Sequence, residues 1–363
     1  MTANKILIFP IMAITLFYAL GKKTDRDKKF CILIVTVILT CFSGFRSWQM
    51  GDVYHYGYLF QQCNAPGWQL NFEARDNLGL QVLFFVVGKL GGDMQTCLLI
   101  IAAFVAITLG VLVYKYSPSP YWSYVIYLAM GFYISSFNIL KQIIAMGFIM
   151  LAMIQIMEHR VLRFLVLVII AGLFHQPALI FVIAYPFANK RVDSIYVLLT
   201  GGIVAIAFLF RSQIVEQLVE LYYTEEQTFQ FMESVGGKVL FMILIILLAL
   251  FMRPLKNYDV HYRQLFGIMI LAAVIQTFAV YDNVFSRLSD YFFQFSVLFI
   301  PFMLQMGEEQ AEQYPEHRRE IRYFTKRSYL LIELGITVFS IVYYFYYVNG
   351  NAALLQEFHF YWN

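Results

Sequence analysis

Charge is what this chain has least of. Asp, Glu, Lys and Arg make up 13% of its 363 residues and hydrophobic residues 60%, whereas soluble domains carry about 25% charged residues. A soluble enzyme and a nucleic-acid-binding protein are both excluded by that balance. Its four cysteines (Cys31, Cys41, Cys63, Cys97) form no CxxC and no metal-ligand spacing, and three fall in or beside apolar runs, where a thiol behaves as a small hydrophobe. There is no P-loop, GxGxxG, HExxH or DxD-type metal pair. No Pro-rich linker, internal repeat or low-complexity tract divides the chain. The N-terminus lacks a charged segment followed by a small-residue cleavage site, so its apolar run reads as a first span.

What is present is a succession of apolar runs. Segments long enough, or nearly so, to cross a bilayer lie at 4–20, 30–45, 95–114, 121–137, 138–157, 161–175, 176–188, 193–210, 238–252, 264–281, 289–306 and 328–348, against about 20 residues for an ideal span. The expectation is an all-α integral membrane protein, one polytopic domain over 1–363 with about twelve transmembrane helices. Within 161–188, two short helices are expected to meet at His175-Gln176-Pro177. The 78–90 run is short and holds Lys89.

Basic residues gather on the cytoplasmic side of membrane proteins. With Lys22, Lys23, Arg26, Lys28 and Lys29 placed inside, twelve crossings put 18 of the 26 Lys and Arg residues in the cytoplasm. Counting 78–90 as a crossing would turn the charge-dense 307–327 loop outward, so 78–90 is expected to be re-entrant or interfacial. Both termini are then extracytoplasmic, the outer loops are 46–94 and 211–237, and 307–327 is a solvated cytoplasmic linker. Val215, Leu218, Val219 and Tyr222 share one helical face, so 212–237 reads as an amphipathic interfacial helix or a lid.

This topology gathers the unusual polar residues. Ionisable groups inside apolar segments are expensive and tend to be functional. Arg46, Asp52, Asn138, Lys141, Gln142, His175 and the turn Asp282-Asn283-Val284-Phe285-Ser286-Arg287 all fall at outer ends of spans. Asn138, Lys141 and Gln142 share a face at i, i+3, i+4 if a helix begins at Asn138. Three of these groups are cations (Arg46, Lys141, Arg287); with one acid and one imidazole they suit an anionic phosphate or diphosphate substrate, which Arg binds bidentately and Lys as a point charge. Each residue also has a plain reading. Arg46 can snorkel, Asp52 can cap a turn, His175 can be structural, and Arg287 can pair with Asp290.

At these residues the chain resembles the EpsG family of bacterial exopolysaccharide proteins, related to Wzy-type polysaccharide polymerases. The matching pieces are Phe45-Arg46 with Gly51-Asp52 and Tyr54–Phe60, Phe137-Asn138 to Gln142 with Ile144-Ala145, Leu173-Phe174-His175 to Ala178, and Arg287-Leu288-Ser289 to Tyr291-Phe292 with Pro301. Two positions depart from the family pattern. Lys141 stands where Arg is usual, and Asp76-Asn77-Leu78 stands where Glu precedes the Gly corresponding to Gly79.

The resemblance implies a metal-independent membrane glycosyltransferase of GT-C-like architecture in the bacterial plasma membrane. It would join undecaprenyl-diphosphate-linked repeat units on the outer face, in exopolysaccharide, capsule or O-antigen synthesis. Arg46, Lys141 and Arg287 would stabilise the departing diphosphate, and His175 or Asp52 would take the acceptor proton. Tyr54, Asn138, Gln142, Asp290 and Tyr291 would bind substrate. The implied partners are the lipid-linked oligosaccharide, the bilayer, a chain-length regulator and a flippase, with no cofactor and no metal. A transporter of lipid-linked oligosaccharide is the main alternative, although transporters place polar sites near the midplane and show related halves. A membrane acyltransferase is a further one, but His159, His261 and His317 are plain loop residues.

Overall fold

The computed structural model describes residues 8–21, 24–49, 53–72, 78–189, 210, 213, 237–252, 259–280, 283–313, 326–350 and 359–362. These residues are helical, and β-type pairing among them is limited to an isolated bridge between Arg46 and Phe360. The all-α expectation holds at that level. The chain packs as two compact units, one of residues 1–179 and 330–363, the other of residues 180–329.

The first unit begins with α1 (Ile8–Leu20), α2 (Asp25–Gly44), α3 (Val53–Cys63), α4 (Leu78–Lys89), α5 (Met94–Tyr116), α6 (Pro120–Ala129), α7 (Phe132–Ser135), α8 (Leu140–Met157) and α9 (Val161–Phe174). Local chemistry starts several of them. Thr24 accepts from the Asp27 amide at the head of α2, Asp93 and Thr96 close a capping box on α5, and Pro120 opens α6, each satisfying or dispensing with an orphan donor. α2 packs on α5, α5 on α8, and α8 on α9, while α3 packs on α4 and α4 on α9. Glycines set the α2–α5 seam. A Cβ on Gly44 would lie 2.8 Å from Leu99, and one on Gly110 would lie 2.9 Å from Thr36.

A further helix, α15 (Lys326–Gly350), joins this unit from Leu330 onward. α8 is 78% buried over its apolar window and α15 only 22%, which makes α8 the central helix and α15 a peripheral one. The outward faces are apolar. α9 exposes Leu162, Leu165, Val166, Ile169 and Leu173, and α15 exposes Leu331, Leu334, Val338, Val342 and Tyr346. Helices facing water carry polar residues there; continuous apolar stripes of this kind suit lipid.

In the second unit, α12 (Val260–Thr277) packs on α10 (Ala184–Ala188), α11 (Gly237–Phe251), α13 (Asn283–Phe293) and α14 (Ser296–Gln313). Gly267 admits the Phe187 carbonyl. The Tyr262 hydroxyl donates to the Ala249 carbonyl at 3.1 Å, and the Tyr262 ring stacks on Phe299 at 5.5 Å.

Among the described residues, three helices are long and apolar enough to cross a membrane: Met94–Tyr116, Leu140–Met157 and Arg327–Gly350. Ile8–Leu20, Leu78–Lys89, Val161–Phe174, Gln176–Ala188 and Gly237–Leu250 are apolar but shorter, at 10–17 residues. At 12 residues, α4 is about 18 Å long against a hydrocarbon core of ~30 Å, too short to cross as a helix. The expected span at 193–210 and the amphipathic segment at 212–237 lie outside the described residues, apart from Phe210 and Gln213.

Several expected boundaries need correction. The 121–137 run breaks after Ala129, because Gly131 adopts φ +79° with the Tyr347 ring where a Cβ would sit. The 289–306 run breaks at Gln294-Phe295, where the Gln294 side chain donates to the Tyr291 carbonyl at 3.1 Å. The turn expected through Arg287 is helical from Asn283 onward, and α14 reaches Gln313, well into the segment expected to be a loop. The joint at His175 is as expected: α9 ends there, and a 3-10 run from Gln176 to Ile183 follows.

Candidate functional site

The first unit separates its polar groups into two ends. At one end Asp25 pairs with Lys29 and accepts from Tyr114, Lys28 donates to the Ser117 carbonyl, and Glu158 is held by Lys115 at 2.9 Å and Arg160 at 2.7 Å. Lys115, the larger influence, and Arg160 hold the Glu158 carboxyl below its usual value. The opposite end carries Arg46, the turn from Ser136 to Ile139, Lys141, and the segment 359–362.

Arg46 is the largest fully buried side chain there, at 1% exposure. α2 closes with the Phe45 amide bonding the Cys41 carbonyl, and the chain then turns inward. The guanidinium donates to the Ser43 carbonyl, to the Ser43 hydroxyl at 3.0 Å and to the Ser136 carbonyl at 3.2 Å. Its plane lies over the Phe137 ring, 5.5 Å from the centroid. Among the described residues no carboxylate pairs with it. Burial pushes the guanidinium down to about 10, so it stays charged at neutral pH. A cavity of about 20 Å³ lies beside it, bordered by Ser43, Tyr133, Ser136 and Ile143, which is room for about one water. In this arrangement a diphosphate could touch Arg46 only if its cover moved.

That cover is partly the 359–362 segment. Ser47 donates to the His359 carbonyl at 2.9 Å and Tyr361 to the Phe45 carbonyl at 3.0 Å, on either side of the Arg46–Phe360 bridge. Five rings seal the contact: Phe42 meets Phe360, Phe45 meets Tyr361 and Trp362, and Phe360 stacks on Trp362 at 4.8 Å. From α5, Gln95 donates to the carbonyls of Gly44 and Arg46 at 2.6 and 3.0 Å. The turn that presents Arg46 is therefore tied to three other parts of the unit.

The Arg46 guanidinium also fixes the approach to α8. Asn138 precedes that helix and does not open it, since its amide bonds Ser135 and its carbonyl takes the Leu140 amide. This corrects the expected shared face of Asn138, Lys141 and Gln142; the short amide side chain favours a turn over the helix. Lys141 is half-buried in the first turn of α8, and Gln142 is 2% exposed. Its N-cap residue, Ile139, has no capping side chain, its first turn holds no acid, and Lys141 forms no ion pair among the described residues. The positive end of an 18-residue helix and a lysine thus coincide, a combination that favours anions.

Antiparallel packing of α8 and α9 brings His175 to the same end as Lys141. His175 caps α9 through its amide to Ala171, and the neighbouring Phe174 stacks on Phe148 and fills the space over Gly79 of α4. Tyr54 is exposed on α3 and stacks on Trp48. Asp52 lies outside the described residues.

The remaining expected site residues are in the second unit. Arg287 is exposed on α13 and Tyr291 is fully buried. Asp290 pairs with Lys238 of α11 at 2.5 Å, and the same ammonium donates to the Ser286 hydroxyl at 3.2 Å. Lys238 was not singled out in the sequence, because its partner is 52 residues away.

The EpsG family model matches residues 29–313. The chain belongs to the EpsG family. That family is associated with exopolysaccharide biosynthesis polymerases, and the match covers α2 through α14. No curated protein and no solved structure matches the chain. The EpsG match takes in Arg46, Lys141, His175 and Arg287, but α15 and the 359–362 segment that covers Arg46 lie beyond it. Sequence reasoning missed that cover; its one signal was the run His359-Phe360-Tyr361-Trp362, four aromatic rings together.

Proposed function

We propose that this EpsG protein is a polysaccharide polymerase that joins undecaprenyl-diphosphate-linked repeat units at the outer face of the bacterial plasma membrane. The observation that carries this is the α8 N-terminus. Its first turn holds no acid and bears Lys141, and the buried Arg46 is docked on the turn before it. A polyanionic leaving group suits such a place. The segregation of Lys28, Lys29, Lys115 and Arg160 at the other end of the unit supports an outward orientation by the positive-inside rule.

In this mechanism the acceptor hydroxyl of one repeat unit attacks the anomeric carbon of the growing chain. The new glycosidic bond forms as the bond to diphosphate breaks, and undecaprenyl diphosphate departs. Lys141, at the positive end of α8, holds the developing charge. Arg46 acts as a positioning residue, shaping the turn and adding positive potential from a low-dielectric site. His175 or Asp52 receives the proton of the acceptor hydroxyl. Arg287, exposed on α13 of the second unit, is a candidate anion ligand of that unit alone. Many crossings, with the shorter helices among them and both termini outside, belong to the same proposal.

The test is deletion of the gene followed by analysis of lipid-linked intermediates. Loss of a polymerase leaves single repeat units on the outer leaflet; an unchanged chain-length distribution sinks the reading, and units stranded inside point to a transporter. For the site, Lys141→Ala should abolish polymer with normal membrane levels, while Lys141→Arg, which keeps the cation, should retain it.

A further inference from the structure

α3 presents a surface unlike its neighbours. Over Val53–Cys63 it carries no charged residue, and its exposed positions are Tyr54, His55, Tyr58, Gln61 and Gln62. The Tyr54 and Trp48 rings are nearly parallel, at 8° with centroids 6.3 Å apart, and Tyr58 stands edge-on to Tyr54 at 4.9 Å. A 2.6 Å hydrogen bond between the two tyrosine hydroxyls fixes both rings. Trp48 can lie against the helix only because residue 57 is glycine, where a Cβ would come within 2.5 Å of the indole. The platform is therefore built, with its rings held in place before anything binds.

The chemistry of this face selects its occupant. Flat aromatic rings accept the C–H face of a pyranose, and planar amides and imidazole suit paired hydroxyls. The absence of charge disfavours a phosphate or a uronic acid. A lipid-facing surface looks different on the helix packed beside it, since α4 exposes Val82 and Val86, and Leu90 just past its end is exposed too. From Tyr54 to Gln62 the face is about 12 Å long at 1.5 Å per residue, the length of about two linked sugars. It starts from the same turn that carries Arg46, two residues before Trp48.

We propose that Trp48 and the exposed face of α3 form a subsite for an uncharged stretch of saccharide, with Tyr54, Tyr58 and Trp48 as the stacking surface and His55, Gln61 and Gln62 as hydroxyl ligands. The inference rests on the glycan-substrate reading above and adds where the sugar portion is held. In the polymerase it keeps a glycan beside the Arg46 turn while the diphosphate end is processed.

The experiment uses the full chain in detergent, titrated by calorimetry with di- to tetrasaccharides of glucose, galactose and N-acetylglucosamine. At least one neutral oligosaccharide should bind. Tyr54→Ala and Tyr58→Ala should each weaken it about tenfold or more, and Tyr54→Phe, which keeps the ring, should stay within about threefold. Binding to none of the panel, or equal binding by wild type and both alanine variants, overturns the subsite; the latter would leave the rings as an interfacial girdle. Normal polymer in the Tyr54→Ala/Tyr58→Ala double variant also overturns it without touching the polymerase reading. Ring-dependent binding in a protein that fails the lipid-intermediate test would retain the saccharide subsite and refute only the polymerase.

Discussion

Replacing Arg46 by methionine separates bracing from function, because its lost hydrogen bonds and its relieved charge burial act in opposite directions on stability. The substitution keeps an unbranched stem of similar bulk and removes the guanidinium. It strips the donor from the buried carbonyls of Ser43 and Ser136, each costing about 1–3 kcal/mol when left unpaired. It also relieves the burial of a cation that no carboxylate offsets among the described residues. The lowering of that group from 12.5 to about 10 corresponds to about 3 kcal/mol, at 1.36 kcal/mol per decade. The two effects largely offset, so Arg46→Met should lie between about 1 kcal/mol of stabilisation and about 3 kcal/mol of destabilisation. Polymer synthesis per folded protein should nevertheless fall steeply, and Arg46→Lys should recover only part of it. The assay pairs thermal unfolding of purified protein with chain-length analysis of the polysaccharide. A large loss of stability with normal polymer per folded molecule would refute the reasoning and leave Arg46 a brace.

Three other outcomes can be checked. Gly131→Ala should destabilise the first unit by about 2–4 kcal/mol, from the positive φ and the Tyr347 ring 2.5 Å from the new Cβ; unchanged thermal unfolding would mean the ring yields freely. Lys238→Met should cost more than Lys238→Met combined with Asp290→Asn, by about 1–3 kcal/mol, because the single change strands a half-buried carboxylate; strict additivity in a double-mutant cycle would contradict this. Because the Glu158 carboxyl is held below its usual value by Lys115 and Arg160, its contribution is present above the unfolded carboxylate pKa and is lost as pH falls through the lower folded one. Glu158→Gln should therefore narrow the stability difference between pH 7 and pH 3, and equal pH dependence in both proteins would remove the pair from consideration.

Sequence patterning carried the helical class and most helix positions, because long apolar runs leave a backbone in lipid few alternatives. It failed where a distant residue decides. The break at Gly131 depends on a ring from α15, and the burial of Arg46 depends on Ser136 and on residues 359–362. An arginine after an apolar run looks the same in sequence whether it snorkels outward or folds inward. Lys141 was legible as an unusual cation, but the start of α8 after Asn138 was not, because an Asn-Ile-Leu-Lys string fits a helix equally well. The Lys238–Asp290 pair was hidden for the same reason, as its members lie on separate helices.

The bridge from Arg46 to Phe360 also sets an order of events during synthesis. The Arg46 turn leaves the ribosome among the first helices, and its covering strand follows about 300 residues later. Through that interval the cation has no lid, and closing so long a loop must be compensated by two backbone hydrogen bonds and a cluster of rings. A chain interrupted before residue 359 would thus hold its other helices while leaving this end open. Closure of this end is tied to residues 359–362, so copies that lack them would lack the closed arrangement around Arg46.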